Sequence, residues 1–174
     1  MRIMGIAPSV VYRAFTIEYT GKSNRLTTPI TISSADGSVD GTALWDTGAT
    51  TTCISESVVE RLNLVPTGMM DIRTPSSTKT VNTYLVNVGL PNHLNVSDVP
   101  VCDTDIGKQG LDMLIGMDII MFGDFSVSNF NNKTVFTFRI PSKEKMDFVP
   151  QANIDNAIGA THGKGKSKRR KGSK

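Results

Sequence analysis

The sequence predicts an all-β domain, and three observations support this prediction. Short segments rich in β-branched and aromatic residues recur along the chain between turn residues, as is typical of strands. Only two segments place apolar residues at helical spacing, and helices do not alternate with strands as they do in βαβ units. The 174 residues are enough for one domain with its own core, so we expect a single β-rich lobe.

Turn residues divide the chain into candidate strands. Gly21, Ser23 and Asn24 separate the first two and indicate a hairpin between them. Residues 35–38, Ala-Asp-Gly-Ser, predict a tight turn into the third strand. The last two strands flank Asn-Asn-Lys at 131–133. The predicted strands cover residues 15–20, 26–32, 39–45, 81–90, 125–130 and 134–140.

Two short helices are predicted. Residues 55–62 carry apolar side chains at helical spacing behind Ser55, a suitable N-cap. Ser57 and Glu60 form a competing capping box, so either serine is a candidate for the first position. Residues 117–122 are a short apolar run between two glycines, which is compatible with one or two helical turns.

Charge is segregated along the chain. Seven of the 19 basic residues lie between Lys164 and Lys174, which leaves twelve basic and 16 acidic residues in the body. An acidic body is not typical of a nucleic-acid-binding domain. The basic tail has three interpretations: a solvated end, a tether to nucleic acid or an acidic partner, or a remnant of a longer chain.

We expect an N-terminal extension at 1–14, one domain at 15–141, and a disordered linker and basic tail at 142–174.

The remaining composition excludes several classes of protein. Cys53 and Cys102 are too few for a disulfide framework and lie among apolar residues, so we expect two buried free thiols. His93 and His162 fall in a predicted loop and in the tail, so we expect no metal site and no cofactor. The chain shows no convincing signal peptide and no apolar run of membrane-spanning length. We therefore expect a cytoplasmic protein with no membrane partner.

Residues 43–55, Ala-Leu-Trp-Asp-Thr-Gly-Ala-Thr-Thr-Thr-Cys-Ile-Ser, carry the strongest chemical signal. An apolar strand delivers Asp46 into a tight turn, where Gly48 allows backbone angles that a side chain would forbid. An isolated Asp-Thr-Gly is more often an ordinary turn. The apolar strand before it, together with the threonine-rich segment and helix after it, favours a functional carboxylate.

A second signal follows 68 residues after Gly48. Residues 113–120 read Met-Leu-Ile-Gly-Met-Asp-Ile-Ile, an apolar strand that turns at Gly116 into a short helix. Asp118 is interpreted as a residue near the helix N-terminus, where a negative charge is favourable.

Together the two segments resemble the retropepsin-like aspartic proteases, and the stretch Leu114–Phe125 looks most similar to bacterial and gag-polyprotein-like members. These proteins share an apolar-Asp-Thr/Ser-Gly-Ala motif and a later apolar-apolar-Gly before a short helix; the resemblance extends from Phe15 to Ile140. It implies a single-lobe closed β-barrel with crossed glycine-turn loops and one or two short helices. It also implies that Asp46 is catalytic and that the active-site loops are supported by Thr47, Gly48, Ala49, Ile115 and Gly116.

The resemblance also implies a flap, a hairpin that covers the substrate, within residues 69–83. Its tip would consist of Thr74, Pro75, Ser76, Ser77 and Thr78. The stretch contains no glycine although the family's flaps are usually glycine-rich, so an inert surface hairpin is the alternative. Many retroviral members pair an acidic residue after the Ala with an Arg after the later Gly. Here Thr50 and Met117 occupy those positions, so we expect different dimer contacts.

The family's chemistry requires two carboxylates that share a proton. Because the chain has a single such motif, the resemblance implies a homodimer in which each subunit contributes one aspartate to hydrolysis of a polypeptide substrate. The alternative is a catalytically silent dimerisation module of the same fold that binds a peptide or protein. A phosphate-gripping turn of the actin and sugar-kinase type is disfavoured, because the chain lacks βαβ alternation.

Overall fold

The computed structural model describes residues 10–74 and 77–163. They form two units, one that ends at Lys143 and one that begins at Glu144. The strands are β1 (Arg13–Glu18), β2 (Thr27–Ser34), β3 (Gly37–Trp45), β4 (Cys53–Ser55), β5 (Gly68–Thr74), β6 (Ser77–Leu90), β7 (Leu94–Thr104), β8 (Met113–Ile115), β9 (Asp124–Ser128) and β10 (Val135–Ile140). The α-helices are α1 (Glu56–Arg61), α2 (Met117–Ile120) and α3 (Val149–Gly163).

Six strands close into a barrel, which confirms the predicted fold class. Their order is β2-β3-β8-β4-β7-β6, and β6 pairs back onto β2. Strand β5 lies outside this ring and pairs with the first half of β6. Strands β3 and β8 are parallel, with Trp45 opposite Ile115. Because parallel neighbours end at the same edge of a sheet, the loops that follow β3 and β8 emerge side by side.

The predicted hairpin between the first two strands is wrong. Strand β1 pairs with β10, with Phe15 opposite Phe138, and β9 completes a separate three-stranded sheet. The turn residues after β1 mark a change of chain direction but do not select a partner strand. The partner is selected by packing, because Phe15 contacts the aromatic rings of β10.

An aromatic cluster joins the three-stranded sheet to the barrel. The Trp45 ring lies 4.8 Å from Phe138 and 5.0 Å from Phe136, measured between ring centroids. Phe15 and Phe125 pack against the same rings. The Trp45 indole nitrogen donates to the Thr28 hydroxyl at 3.0 Å, so its polar atom is satisfied inside the core. Truncation of one such phenylalanine to alanine costs about 3–5 kcal/mol, so this cluster fixes the end of β3 firmly.

The local predictions for turns and helices are confirmed. Strands β2 and β3 form a hairpin in which Ser34 lies opposite Gly37. Helix α1 begins after Ser55, whose hydroxyl accepts from the Val58 amide at 3.4 Å. Ser57 does not form the competing cap; its hydroxyl hydrogen-bonds to that of Ser55 instead.

Helix α3 lies within the segment 142–174 that we expected to be disordered. The Asp147 carboxylate accepts from the Val149 amide at 3.1 Å, and Gln151 hydrogen-bonds to Asp155 one turn later at 2.9 Å. These local interactions support a helix whose described side chains, from 149 to 158, are exposed; we had expected disorder here because the apolar pattern fades beyond Pro141. The basic tail from Lys164 onward lies outside the described residues. Within the part of the chain that the structure describes, no helix is long and apolar enough to cross a membrane.

Asp124 connects the start of β9 to the chain beyond β10. Its carboxylate accepts from the Ser142 hydroxyl at 2.6 Å, the Lys143 amide at 3.0 Å and the Arg139 guanidinium Nε at 2.8 Å. These three donors, the Ser142 hydroxyl first, lower the pKa of Asp124 from its ordinary 3.8 to about 2. The neighbouring Gly123 is required by a close approach, since a Cβ there would lie 1.8 Å from the Arg139 carbonyl oxygen.

The lowered pKa of Asp124 predicts how stability depends on pH. The ionised carboxylate contributes its full stabilisation above about pH 4, and this contribution is lost as the pH falls towards 2. We expect Asp124→Asn to melt below wild type at about pH 6, and the difference to shrink as the pH approaches 2. Thermal unfolding across this range measures it, with Asp36→Asn in the exposed β2–β3 turn as control. A constant difference across the range would contradict the assignment.

Candidate active site

The turn after β3 holds a single carboxylate. The Asp46 amide donates to the Ile115 carbonyl at 2.9 Å, and the Asp46 carbonyl accepts from the Ala49 amide at 3.2 Å. One carboxylate oxygen, Oδ1, accepts from the Gly48 amide at 2.8 Å. Asp46 is half-buried, whereas Thr47 and Gly48 are exposed. The carboxylate is therefore oriented by the backbone and still open to solvent.

A second loop, after β8, crosses the first at Gly116. A Cβ at this position would lie 2.8 Å from the Thr51 carbonyl carbon and 3.1 Å from the Ala49 carbonyl oxygen. Such distances do not occur for real side chains, so only glycine allows the two backbones to approach this closely. The Met117 amide donates to the Ala49 carbonyl at 2.8 Å across the same crossing. The structure thus brings together the predicted residues Asp46, Thr47, Gly48, Ala49, Ile115 and Gly116.

Thr52 and Asp118 connect the two loops through buried hydrogen bonds. The Asp118 carboxylate accepts from the Thr52 amide at 2.7 Å and from the Thr52 hydroxyl at 2.6 Å. The same hydroxyl accepts from the Gly116 amide at 3.1 Å. The interpretation of Asp118 as a helix-end residue was therefore incomplete.

The predicted flap corresponds to a hairpin of β5 and β6. The strands pair from Gly68 opposite Thr83 to Thr74 opposite Ser77, and Thr78 lies opposite Arg73. The predicted tip residues Pro75 and Ser76 lie outside the described residues.

The base of this hairpin is tied to β7 by Asp103. Its carboxylate accepts from the Asn82 amide at 3.0 Å and from the Tyr84 hydroxyl at 3.3 Å. Burial and the Asp103 charge raise the pKa of Tyr84, so the phenol keeps its proton and remains a donor. A cavity of about 220 Å³ lies between the hairpin, the start of α1 and Asp103, and both Glu56 and Lys79 line it.

Metal-binding side chains and a second groove are the other features that bear on ligand binding. Among residues 10–74 and 77–163, no three histidine, cysteine, aspartate or glutamate side chains lie close enough together to hold a metal ion. A larger open groove of about 840 Å³ lies over β2, β3 and the β6–β7 turn, and Asp40, Asn87 and His93 contribute polar atoms to it.

The sequence profile of one protein family matches both loops. The family is described as "Aspartyl protease", and the match covers residues 22–119, more than half of the chain. The chain belongs to the aspartyl protease family. The resemblance inferred from the two motifs is thereby confirmed at the level of the family.

Solved structures extend the comparison to the fold. A retropepsin-like aspartic protease from Rickettsia conorii matches with a TM-score of 0.51 and 12% identity, over 77% of this chain and 99% of that chain. The protease of Simian Foamy Virus (mac) matches with a TM-score of 0.39 and 22% identity, over 53% of this chain and 89% of that chain. The retroviral protease-like domain of Ddi1 from Leishmania major matches with a TM-score of 0.40 and 17% identity, over 66% of this chain and 95% of that chain. No curated protein matches the sequence. The Rickettsia structure supports the retropepsin-like fold, and the two weaker matches carry no structural weight.

The contribution of the Thr52 hydroxyl to the stability of this family member can be measured. Thr52→Val keeps the side-chain shape but leaves the Gly116 amide without its acceptor and removes one donor from Asp118. We expect a loss of about 1–3 kcal/mol in the free energy of unfolding, because these groups are buried. Urea denaturation measures the loss, with Thr50→Val on the exposed part of the same loop expected to stay within about 0.5 kcal/mol. Equal effects of the two substitutions would rule out a special role for Thr52.

Proposed function

We propose that the protein is an aspartic endopeptidase that acts as a homodimer, with Asp46 as the catalytic carboxylate of each subunit. The observation that carries this proposal is the position of Asp46 at the loop crossing, half-buried and oriented by the Gly48 amide. A hydrogen bond from the amide two residues on is common in ordinary turns, so the weight lies on where this turn is: Asp46 directly precedes the segment that packs against Gly116 of the second loop. Membership of the aspartyl protease family supports the same chemistry.

Hydrolysis by this route uses two carboxylates that share one proton. The ionised carboxylate takes a proton from water, and the protonated one polarises the scissile carbonyl. The 174 residues contain no second Asp-Thr-Gly or Asp-Ser-Gly segment. Other aspartates are already engaged in hydrogen bonds that support the fold, including Asp103, Asp112, Asp118 and Asp124. We infer that the second catalytic carboxylate is Asp46 of another copy, related by a two-fold axis.

The surface near the loop crossing suits contact with a second copy. Thr47 and Gly48 are exposed beside Asp46, and Met121 and Phe122 are exposed at the end of α2. Large apolar side chains that remain exposed next to a functional residue are typical of an interaction surface. A polypeptide substrate would then lie between the two subunits, beneath the β5–β6 hairpins.

Asp46→Asn tests the catalytic assignment. The amide cannot act as a base and is nearly isosteric, so we expect peptide cleavage to fall by at least about 100-fold with little change in melting temperature. Digestion of a diverse peptide library measures the activity, with Asp36→Asn as the matched control. Wild-type turnover by Asp46→Asn would show that the assignment is wrong. Tight binding of peptides without any cleavage by wild type would favour the silent binding module.

Dilution tests the requirement for two subunits. If the site is shared, specific activity should fall as the protein is diluted through the dimer dissociation range. Phe122→Glu should move that range to higher concentration, because it places a charge in the proposed contact surface, whereas Phe130→Glu on the β9–β10 connection should not. Sedimentation of the same samples shows whether specific activity falls as the dimer dissociates. Full specific activity from a species that sediments as a monomer would refute the shared site.

A further inference from the structure

Cys53 and Cys102 form a close pair of thiols behind the first loop. Cys53 lies on β4 and Cys102 on β7, directly opposite each other in a parallel pairing. Their sulfur atoms are 3.2 Å apart, and either thiol can donate the hydrogen bond between them. Both cysteines are free.

The two thiols differ in their access to solvent. Cys102 is fully buried, as the sequence predicted, but Cys53 is only half-buried, which corrects the expectation of two buried thiols. Cys53 is therefore the thiol of the pair that an oxidant would meet first. The hydrogen bond between the thiols raises the pKa of Cys53 and lowers that of Cys102, so the pair loses its first proton more readily than its second.

The strand pairing places the two cysteines within reach of a disulfide. Neighbouring strands lie about 4.8 Å apart, inside the range of about 4.4–6.8 Å between the Cα atoms of bonded cysteines. The sulfurs would have to approach from 3.2 Å to about 2.05 Å. We expect the disulfide to shift β4 slightly relative to β7, because the two side chains lie side by side on paired parallel strands.

A movement of β4 relative to β7 would affect two sets of hydrogen bonds, those of Thr52 between the loops and those of Asp103 at the base of the hairpin. Cys53 directly follows Thr52, whose carbonyl accepts from the Cys102 amide at 3.3 Å and whose hydroxyl supports Gly116. Cys102 directly precedes Asp103, which holds the base of the β5–β6 hairpin. The thiol pair therefore lies between the link that joins the two loops and the anchor of the hairpin.

We propose that Cys53 and Cys102 are an oxidisable dithiol whose disulfide disturbs the active-site loops and lowers peptidase activity. The effect on activity rests on the proposed function, whereas formation of the disulfide does not.

Hydrogen peroxide is a sufficient oxidant. Once the pair has lost one proton, either sulfur can hold the remaining proton in the hydrogen bond, so transfer of that proton to Cys102 leaves the thiolate on the more exposed Cys53. This thiolate attacks one peroxide oxygen, the O–O bond breaks, and hydroxide leaves to give a sulfenic acid. The Cys102 thiolate then attacks this sulfur, the S–O bond breaks, and a second hydroxide leaves as the disulfide forms. The two thiol protons convert the hydroxides to water. Two thiols thus lose two electrons, and one peroxide becomes two waters. A dithiol such as dithiothreitol reverses the reaction by exchange.

The test uses the full chain, reduced and then treated with hydrogen peroxide. Free thiols are alkylated after denaturation, and the intact mass and a peptide map are recorded. We expect two alkyl groups on the reduced chain, none on the oxidised chain, and a peptide pair that joins Cys53 to Cys102.

Peptide cleavage should fall several-fold on oxidation and return with dithiothreitol. Cys53→Ala and Cys102→Ala should keep the activity of reduced wild type and resist peroxide; because they retain all eight methionines, they also control for methionine oxidation.

Three results would overturn the proposal. The first is retention of both free thiols after oxidation, and the second is a disulfide that joins separate chains. The third is a disulfide within the chain that leaves cleavage unchanged, which would refute the control of activity. If reduced wild type cleaves no peptide, the proposed function has failed. The alkylation and mass measurements then still show whether Cys53 and Cys102 form a disulfide. Should Cys102→Ala not fold, Cys53→Ala at the half-buried position supplies the same control.

Discussion

Two backbone segments cross beneath Asp46 at a distance that excludes any side chain between them, and the rest of the structure depends on this contact. With a hydrogen atom as its side chain, Gly116 lies against the carbonyl groups of Ala49 and Thr51, and the Met117 amide reaches Ala49. A larger residue would separate the loops and break these hydrogen bonds. The position of the carboxylate is thus determined by how closely two peptide backbones approach.

The barrel and its core keep the crossing in place. Parallel pairing of β3 with β8 makes the two loops start at the same edge, and the Asp46 amide continues this pairing to the Ile115 carbonyl. Trp45, the last residue of β3, is fixed by four phenylalanine rings and by its bond to Thr28. Displacement of the tryptophan would displace the carboxylate that follows it. Packing in the core therefore determines geometry at the site.

Buried polar groups complete the connection between core and surface. Among the described residues, no buried side-chain nitrogen or oxygen lacks a hydrogen-bond partner. Asp118 and Thr52 join the loops, and Asp103 anchors the hairpin, through hydrogen bonds that are partly shielded from water. A fully satisfied network of this kind resists distortion, because any movement leaves a buried group unpaired. Cys53 and Cys102, which lie between the two networks, are the place where a covalent change would reach both.

The sequence by itself determined the features that depend on neighbouring residues. The Asp-Thr-Gly-Ala turn, the turn before Gly37 and the Ser55 cap each follow from local backbone chemistry, which a few adjacent residues encode. Tertiary structure decided which distant groups meet: β1 with β10, Thr52 with Asp118 across 66 residues, and Cys53 with Cys102 across 49. These pairings have no signal in spacing, because they depend on which faces are buried against each other when the barrel closes. Helix α3 is the opposite case. Local hydrogen bonds support it although its described side chains, from 149 to 158, are exposed, so apolar periodicity in the sequence does not predict it.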